Sequence, residues 1–431
     1  MPSEHYSPVQ LRRAVLSSFL GSVIEYYDFL LYATASAVVF ARIFFSDLDP
    51  VVATVASLGT FATGYLARPL GGLIFGHYGD IIGRKRMLVL TMVLMGTASF
   101  LIGLLPTYDQ VGAWAPVALV LLRLVQGVAV GGEWGGAVLM SAEHANTRRG
   151  LWASFTGAGA PFGMVLSTGV LTGAAAVLGE EAFLAWGWRI PFLLSLVLLG
   201  LGLFVRLKVD ETPVFREDEG KSTARVPLLN VLREHPRALS LGIGVGLAAF
   251  VVQTTLTTYL LAYGVQVGFS RQTVLAAITL SSLLAVFGTV FWSGVSDRFG
   301  RRPIMMIGAV LVAAYGFALF PMVHSGSAAL LTLALVLGQS VLHPMIYGPL
   351  AALYTELFST RARYTGASLG YQIAALGGGV APVVFAQLQS PVATSLVIAA
   401  CCALTVGCAW VLPETSRDDL VSARRWAGEA S

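Results

Sequence analysis

The sequence predicts an all-α membrane protein: twelve transmembrane helices in two pseudo-symmetric six-helix bundles, with both termini cytoplasmic. Three observations predict it. Of 431 residues, 56% are hydrophobic and only 12% are charged, about half the charged share of a soluble domain. Apolar runs long enough to cross a bilayer, about 20 residues each, occur twelve times. A charged, glycine-punctuated turn, Gly76–Arg86, returns in shorter form at Gly294–Arg302, and its aspartates, Asp80 and Asp297, lie 217 positions apart. A turn copied at half-chain distance in an apolar protein marks a duplicated bundle.

Taken in order, the chain has a short polar N-terminus (1–13) and a first set of runs at 14–40, 51–76, 87–105, 115–141, 151–178 and 187–207. A linker (208–237) dense in charge and proline follows. The second set is 238–265, 272–294, 303–322, 328–357, 364–389 and 391–412, before a tail (413–431) without heptads. The first run exceeds a signal-peptide core and holds Glu25 and Asp28, so it is expected to stay as a helix. Seven clusters, from Arg12/Arg13 to the tail, hold twenty-two of the 27 Lys and Arg residues. With an even number of spans all seven fall on one side, which the positive-inside rule makes cytoplasmic. The surface has no basic nucleic-acid stripe. Cys401, Cys402 and Cys408 share one run without zinc or disulfide spacing. No enzyme, cofactor or metal is expected.

Arg68 and Arg123 fall inside apolar runs, where a guanidinium faces a water-filled cavity or an acid. The acids available are Glu25, Asp28 and Glu133. Glu25 and Asp28 are three apart and share a helix face. Two carboxylates that close, away from bulk water, cannot both ionise cheaply. One is expected to carry a proton, Asp28 ahead of Glu25; a static pair with an arginine is the alternative. Arg123 and Gln126 share a face and could clamp a substrate carboxylate. Arg68 lies deeper, level with Glu133, and either binds substrate or pairs with that acid. In the second half, Tyr259, Gln339, His343 and Tyr371 are candidate cavity-lining groups, each with packing as its alternative. Glycines at 127, 131 and 135, and at 132 and 136, are expected to bring the fourth helix close to its neighbours.

The motifs resemble those of the major facilitator superfamily and, within it, the metabolite:proton symporter family, whose members carry shikimate, 2-oxoglutarate, citrate or proline/betaine. The two turns match the superfamily's charged-turn pattern. Ile24-Glu25-Tyr26-Tyr27-Asp28-Phe29, Ala67-Arg68-Pro69-Leu70-Gly71-Gly72 and Gly131-Gly132-Glu133-Trp134-Gly135-Gly136 are the more specific matches, with Trp186–Phe192 and Glu211–Phe215 beside them. The resemblance implies alternating access about a midplane site. It also implies a cytoplasmic gate built from Asp80, Arg84, Arg86, Asp297 and Arg301, with Glu143/Arg148 and Glu356/Arg361 completing the network. The expected activity is import of a small organic acid or zwitterion with protons by a monomer in the cell membrane. A shikimate-like acid or a dicarboxylate is the first expectation. A proline/betaine symporter, a proton-coupled exporter and a non-transporting nutrient sensor are the alternatives.

Overall fold

The computed structural model describes residues 8–208, 231–358 and 363–416, apart from His144, Asn146, Glu234 and Gln389. Most of the linker, Arg361 and the tail beyond Ser416 lie outside the described residues, as do the side chains of Asp80, Arg84 and Glu143. Twelve long helices follow one another. The first bundle comprises α1 (Pro8–Ala35), α2 (Pro50–Ile82), α3 (Arg84–Leu104), α4 (Trp114–Glu143), α5 (Arg149–Gly179) and α6 (Phe183–Leu207). The second comprises α7 (Pro236–Gln266), α8 (Arg271–Phe299), α9 (Arg301–His324), α10 (Ala328–Leu357), α11 (Arg363–Leu388) and α12 (Pro391–Val411).

Eleven are long and apolar enough to cross a membrane. The other, α2, has 33 residues and a single charge, Arg68, between Val51 and Phe75. Hydrocarbon offers no partner for backbone N–H and C=O groups, so each span closes its own hydrogen bonds as a helix. Large apolar side chains such as Phe287, Phe291, Phe204 and Trp410 point outward and are exposed, the reverse of a soluble surface.

Sequence sets the helix ends. Ser270, Ser327 and Ser390 accept hydrogen bonds from the first-turn N–H groups of α8, α10 and α12, each satisfying an orphan donor. The duplicated turns stop α2 and α8 at Gly83 (φ 114°) and Gly300 (φ 99°). That backbone is open to glycine and strained for other residues. The two glycines are 217 positions apart, so the duplication extends to backbone conformation.

Across the bundle interface α2 packs on α11 and α5 on α8. The glycine rows of α4 make two close approaches possible, one within the first bundle and one across the interface. A Cβ at Gly127 or Gly131 would fall on the backbone of α2, and one at Gly135 or Gly136 on Ser368 and Tyr364 of α11. Tyr364 donates its phenol to the Gly132 carbonyl at 2.6 Å. Gly131→Ala is therefore expected to destabilise the protein by about 1–3 kcal/mol, the cost of overpacking a tight contact. A lowered melting temperature of detergent-purified protein is the check.

One feature of the helices carries no mark in the sequence. The helices α1, α7 and α10 each contain or continue into a π turn: Ser36–Phe40, Thr255–Tyr259 and Leu337–Leu342. A π turn inserts a residue into the helical ladder and re-aims the side chains around it.

Candidate functional site

A small enclosed cavity lies where the bundles meet, with ≈ 20 Å³ of room for the centres of water-sized spheres, about one water molecule. Tyr26 of α1, Tyr65 and Arg68 of α2 and Pro161 of α5 line it from the first bundle. From the second come Phe250, Gln253, Thr257, Thr258 and Gln339. The π turns deliver Thr257, Thr258 and Gln339. Gln339 is held at both ends, accepting from Ser281 at 2.7 Å and donating to Ser282 at 2.9 Å.

Arg68 is 1% exposed, yet its Nε and Nη2 have no hydrogen-bond partner. Its guanidinium carbon lies 4.0 Å from the centre of the Phe29 ring and 4.4 Å from that of Tyr65. Arg123 lies 4.0 Å from the same Phe29 ring, 4.2 Å from Tyr32 and 5.1 Å from Phe61. One aromatic ring thus serves two cations in a water-poor interior, where cation–π attraction is at its strongest. This offsets part of the repulsion between them. Arg123 is the residue expected as the clamp, with Arg68 as either a substrate-binding group or the partner of Glu133. Arg68 lines the cavity, and Arg123 stands one ring behind.

Arg123 leads to Asp28 through neutral groups. Its Nη1 donates to Gln126 Oε1 at 3.0 Å, and Gln126 Nε2 donates to Ser99 Oγ at 2.7 Å. Ser99 is a side-chain neighbour of Asp28, and Ser195 donates to Asp28 Oδ1, leaving Oδ2 without a partner. Asp28 faces α3 and α6 inside the first bundle, away from the cavity. Glu25, one turn below, has both carboxylate oxygens without hydrogen-bond partners. Its charged neighbours are Glu133, Arg68 and Arg206.

Glu133 was expected to pair with Arg68 or to bind substrate. It pairs with Arg206 instead. Arg206 stands in the last turn of α6 and is 3% exposed; its guanidinium reaches back into the bundle beside Gly21, where a Cβ would overlap it, and Nη1 bonds the Leu88 carbonyl at 3.2 Å.

Three second-bundle candidates lie outside the cavity wall. Tyr259 stacks on Tyr263 and meets Phe385, with ring centres 5.5 Å apart in each pair. His343 donates Nε2–H to the Ala249 carbonyl at 3.0 Å and stacks on Tyr347. Tyr371 joins Tyr26 at 2.8 Å and Tyr347 at 3.0 Å in a chain of phenols. Trp134 of α4 lies flat on Tyr371, centroids 3.5 Å apart. This aromatic floor links α1 and α4 to α10 and α11.

At the end that carries the charged turns, Asp297 caps α5 across the bundle interface. Its carboxylate accepts from Gly150 N at 2.9 Å and Leu151 N at 2.8 Å. Arg301 holds the same carboxylate at 2.7 Å and Glu356 at 3.3 Å. Thr415 donates to Glu356, and Glu414 accepts from the backbone N–H of Arg301 and Arg302. This end is shut. Arg86 and Arg148 are exposed and outside that buried network, because a long cation at a helix end gains more from water than from burial.

A sequence profile of the Major Facilitator Superfamily matches residues 18–382. The chain belongs to that superfamily. Relatives of the facilitator span it almost end to end. The inner membrane metabolite transport protein YhjE of Escherichia coli strain K12 is 39% identical, over 97% of this chain and 98% of its own. The shikimate transporter of the same strain is 39% identical over 88% of this chain and 87% of its own. A solved structure of the proton:xylose symporter XylE, bound to 6-bromo-6-deoxy-D-glucose, superposes with a TM-score of 0.76, covering 97% of this facilitator and 99% of XylE at 20% identity. That likeness supports the twelve-helix fold.

Phe29, Ser99, Ser195, Tyr26 and Arg206 contact the candidate residues and are absent from the sequence candidates. Phe29 and Tyr26 sit inside the acidic-aromatic motif, so a signal was present. The two serines carry none, since a serine in an apolar helix is unremarkable until its neighbour is known.

Proposed function

We propose that this facilitator is a secondary active transporter that imports a small organic acid together with protons, the end bearing the charged turns facing the cytoplasm. The observation that carries the reading is Arg68: a buried guanidinium at the cavity wall with two nitrogens unbonded. Such a group is complementary to a carboxylate, which can accept two parallel N–H bonds. The identity to a shikimate transporter supports a hydroxylated carboxylate as the first candidate. The small neutral donors Thr257, Thr258 and Gln253 suit its hydroxyls.

Coupling follows from the line Arg68–Phe29–Arg123–Gln126–Ser99–Asp28. An anion on Arg68 weakens the positive field at Arg123 and hence at Asp28, favouring a proton on that carboxylate. Closure at the basic end is held by Asp297, Arg301 and Glu356, and nearer the site by the Trp134–Tyr371–Tyr26–Tyr347 floor. Opening that end would release substrate and proton together. The basic turns support an orientation with this end inside the cell, since such turns are retained there.

Asp297→Asn should weaken that closure, since it removes one acceptor of the α5 cap and the charge that Arg301 holds. Hydrogen bonds to charged groups contribute about 1.5–3 kcal/mol, enough for a shift of roughly tenfold or more. With the three cysteines replaced by serine, a cysteine at Ala160 should label faster from the basic side in the variant. Equal labelling would count against the gate.

The reading as a whole is tested by uptake into proteoliposomes of labelled shikimate, 2-oxoglutarate, citrate and glycine betaine, with acid outside or inside. Accumulation of an acid only with acid outside is expected. Efflux under the same gradient would favour an exporter, and binding without flux a sensor.

A further inference from the structure

We infer that the carrier moves one proton with each carboxylate of its substrate, so that uptake of a monocarboxylate is electroneutral. This rests on the proton-coupled reading above and adds the charge rule that governs it. Among the described residues, the buried charged side chains of the first bundle are Glu25, Asp28 and Glu133 against Arg68, Arg123 and Arg206, none more than 3% exposed. The helices α3 and α5 bury only neutral polar groups such as Ser99 and Thr156. From the second bundle, the groups facing this set are Tyr347, Tyr371, Gln339 and Gln372. His343 beyond them has its Nε2–H on the Ala249 carbonyl. Three acids stand against three arginines, and when all are ionised the interior is neutral.

Only one ion pair is closed within this set, Glu133 with Arg206. Glu25, Asp28, Arg68 and Arg123 form no ion pair with one another and keep unbonded polar atoms. Balance is therefore kept by the set rather than by fixed pairs. A substrate carboxylate on Arg68 adds one negative charge to an interior that water scarcely reaches, where an uncompensated charge is strongly unfavourable. One proton on Asp28 or Glu25 restores the sum to zero. Two acids without closed pairs can take two protons, so a dicarboxylate fits the same rule. A zwitterion such as glycine betaine changes nothing in the sum and gains nothing from a proton.

The test uses purified full-length protein in proteoliposomes with labelled shikimate, which carries one carboxylate, and with labelled glycine betaine. A pH gradient is imposed with acid outside, and the potential is set with potassium and valinomycin. Wild-type shikimate accumulation should follow the pH gradient and stay the same when the inside is made negative. If one net charge moved, accumulation would change roughly fiftyfold for every 100 mV. Asp28→Asn removes one acid, so its anion should travel without a proton: the pH gradient should no longer drive uptake, and an inside-negative potential should slow it. Glu25→Gln is the second variant, should Asp28→Asn fail to fold, and the same pair of responses is expected. Shikimate uptake that follows the pH gradient and also rises with an inside-negative potential overturns the charge rule and leaves the proton-coupled reading standing. Betaine accumulation driven by the pH gradient overturns the rule as well. No pH-driven uptake of shikimate by the wild type overturns the proton-coupled reading of a shikimate-like substrate, and this inference with it.

Discussion

Replacing Arg68 with lysine should abolish high-affinity uptake while leaving the protein folded. The guanidinium at this position touches Phe29 and Tyr65 face-on and presents unbonded Nε and Nη2 atoms beside the cavity. Lysine keeps the charge but loses the planar fork and the stacked contact, so its ammonium can meet a carboxylate only as a point. Losing one hydrogen bond to a charged group costs about 1.5–3 kcal/mol, roughly 10-fold to 150-fold in affinity. The loss should appear in KM for labelled shikimate, with the melting temperature of the purified variant close to wild type. Arg123→Lys should weaken binding less, since Arg123 reaches the cavity only through Phe29. An unchanged KM in Arg68→Lys would remove the carboxylate anchor from the mechanism.

The second large effect is expected at Asp28. Asn is nearly isosteric and can still accept from Ser195, so the packing of α1 against α3 and α6 should persist. It cannot exchange a proton. Asp28→Asn should therefore lose accumulation against a gradient, falling to equilibration, while exchange of labelled for unlabelled substrate continues. Both are read in the same vesicles. Uphill uptake at the wild-type level in this variant would move the coupling proton elsewhere, Glu25 being the next carboxylate along the helix.

The fold was legible because hydrophobic length, basic clusters and a duplicated turn all act over long stretches of chain. The repeat at Gly83 and Gly300 shows how deep that duplication runs. The glycine rows of α4 were legible for a similar reason, since their spacing alone decides which backbones can touch. The site was legible only in its ingredients. Glu25, Asp28, Arg68, Arg123 and Glu133 stand out as charges in apolar runs, but their partners are set by helix rotation and by contacts between distant segments. Glu133 meets Arg206 because a long side chain at the end of α6 reaches back past Gly21. Arg68 rather than Arg123 lines the cavity, because depth along a helix does not say which face looks into it. Tyr259 and His343 take the packing alternative, stacked on Tyr263 and Tyr347. The π turns of α7 and α10, which aim Thr257, Thr258 and Gln339, leave no simple signature in sequence.

If substrate and proton enter together, the lumen of proteoliposomes loaded with a pH-sensitive dye, with no gradient imposed and protein oriented with its basic turns inward, should acidify when shikimate is added outside. Asp28→Asn should admit substrate without the acidification. Substrate entry with no change in lumenal pH in the wild type, or with alkalinisation, would contradict joint entry.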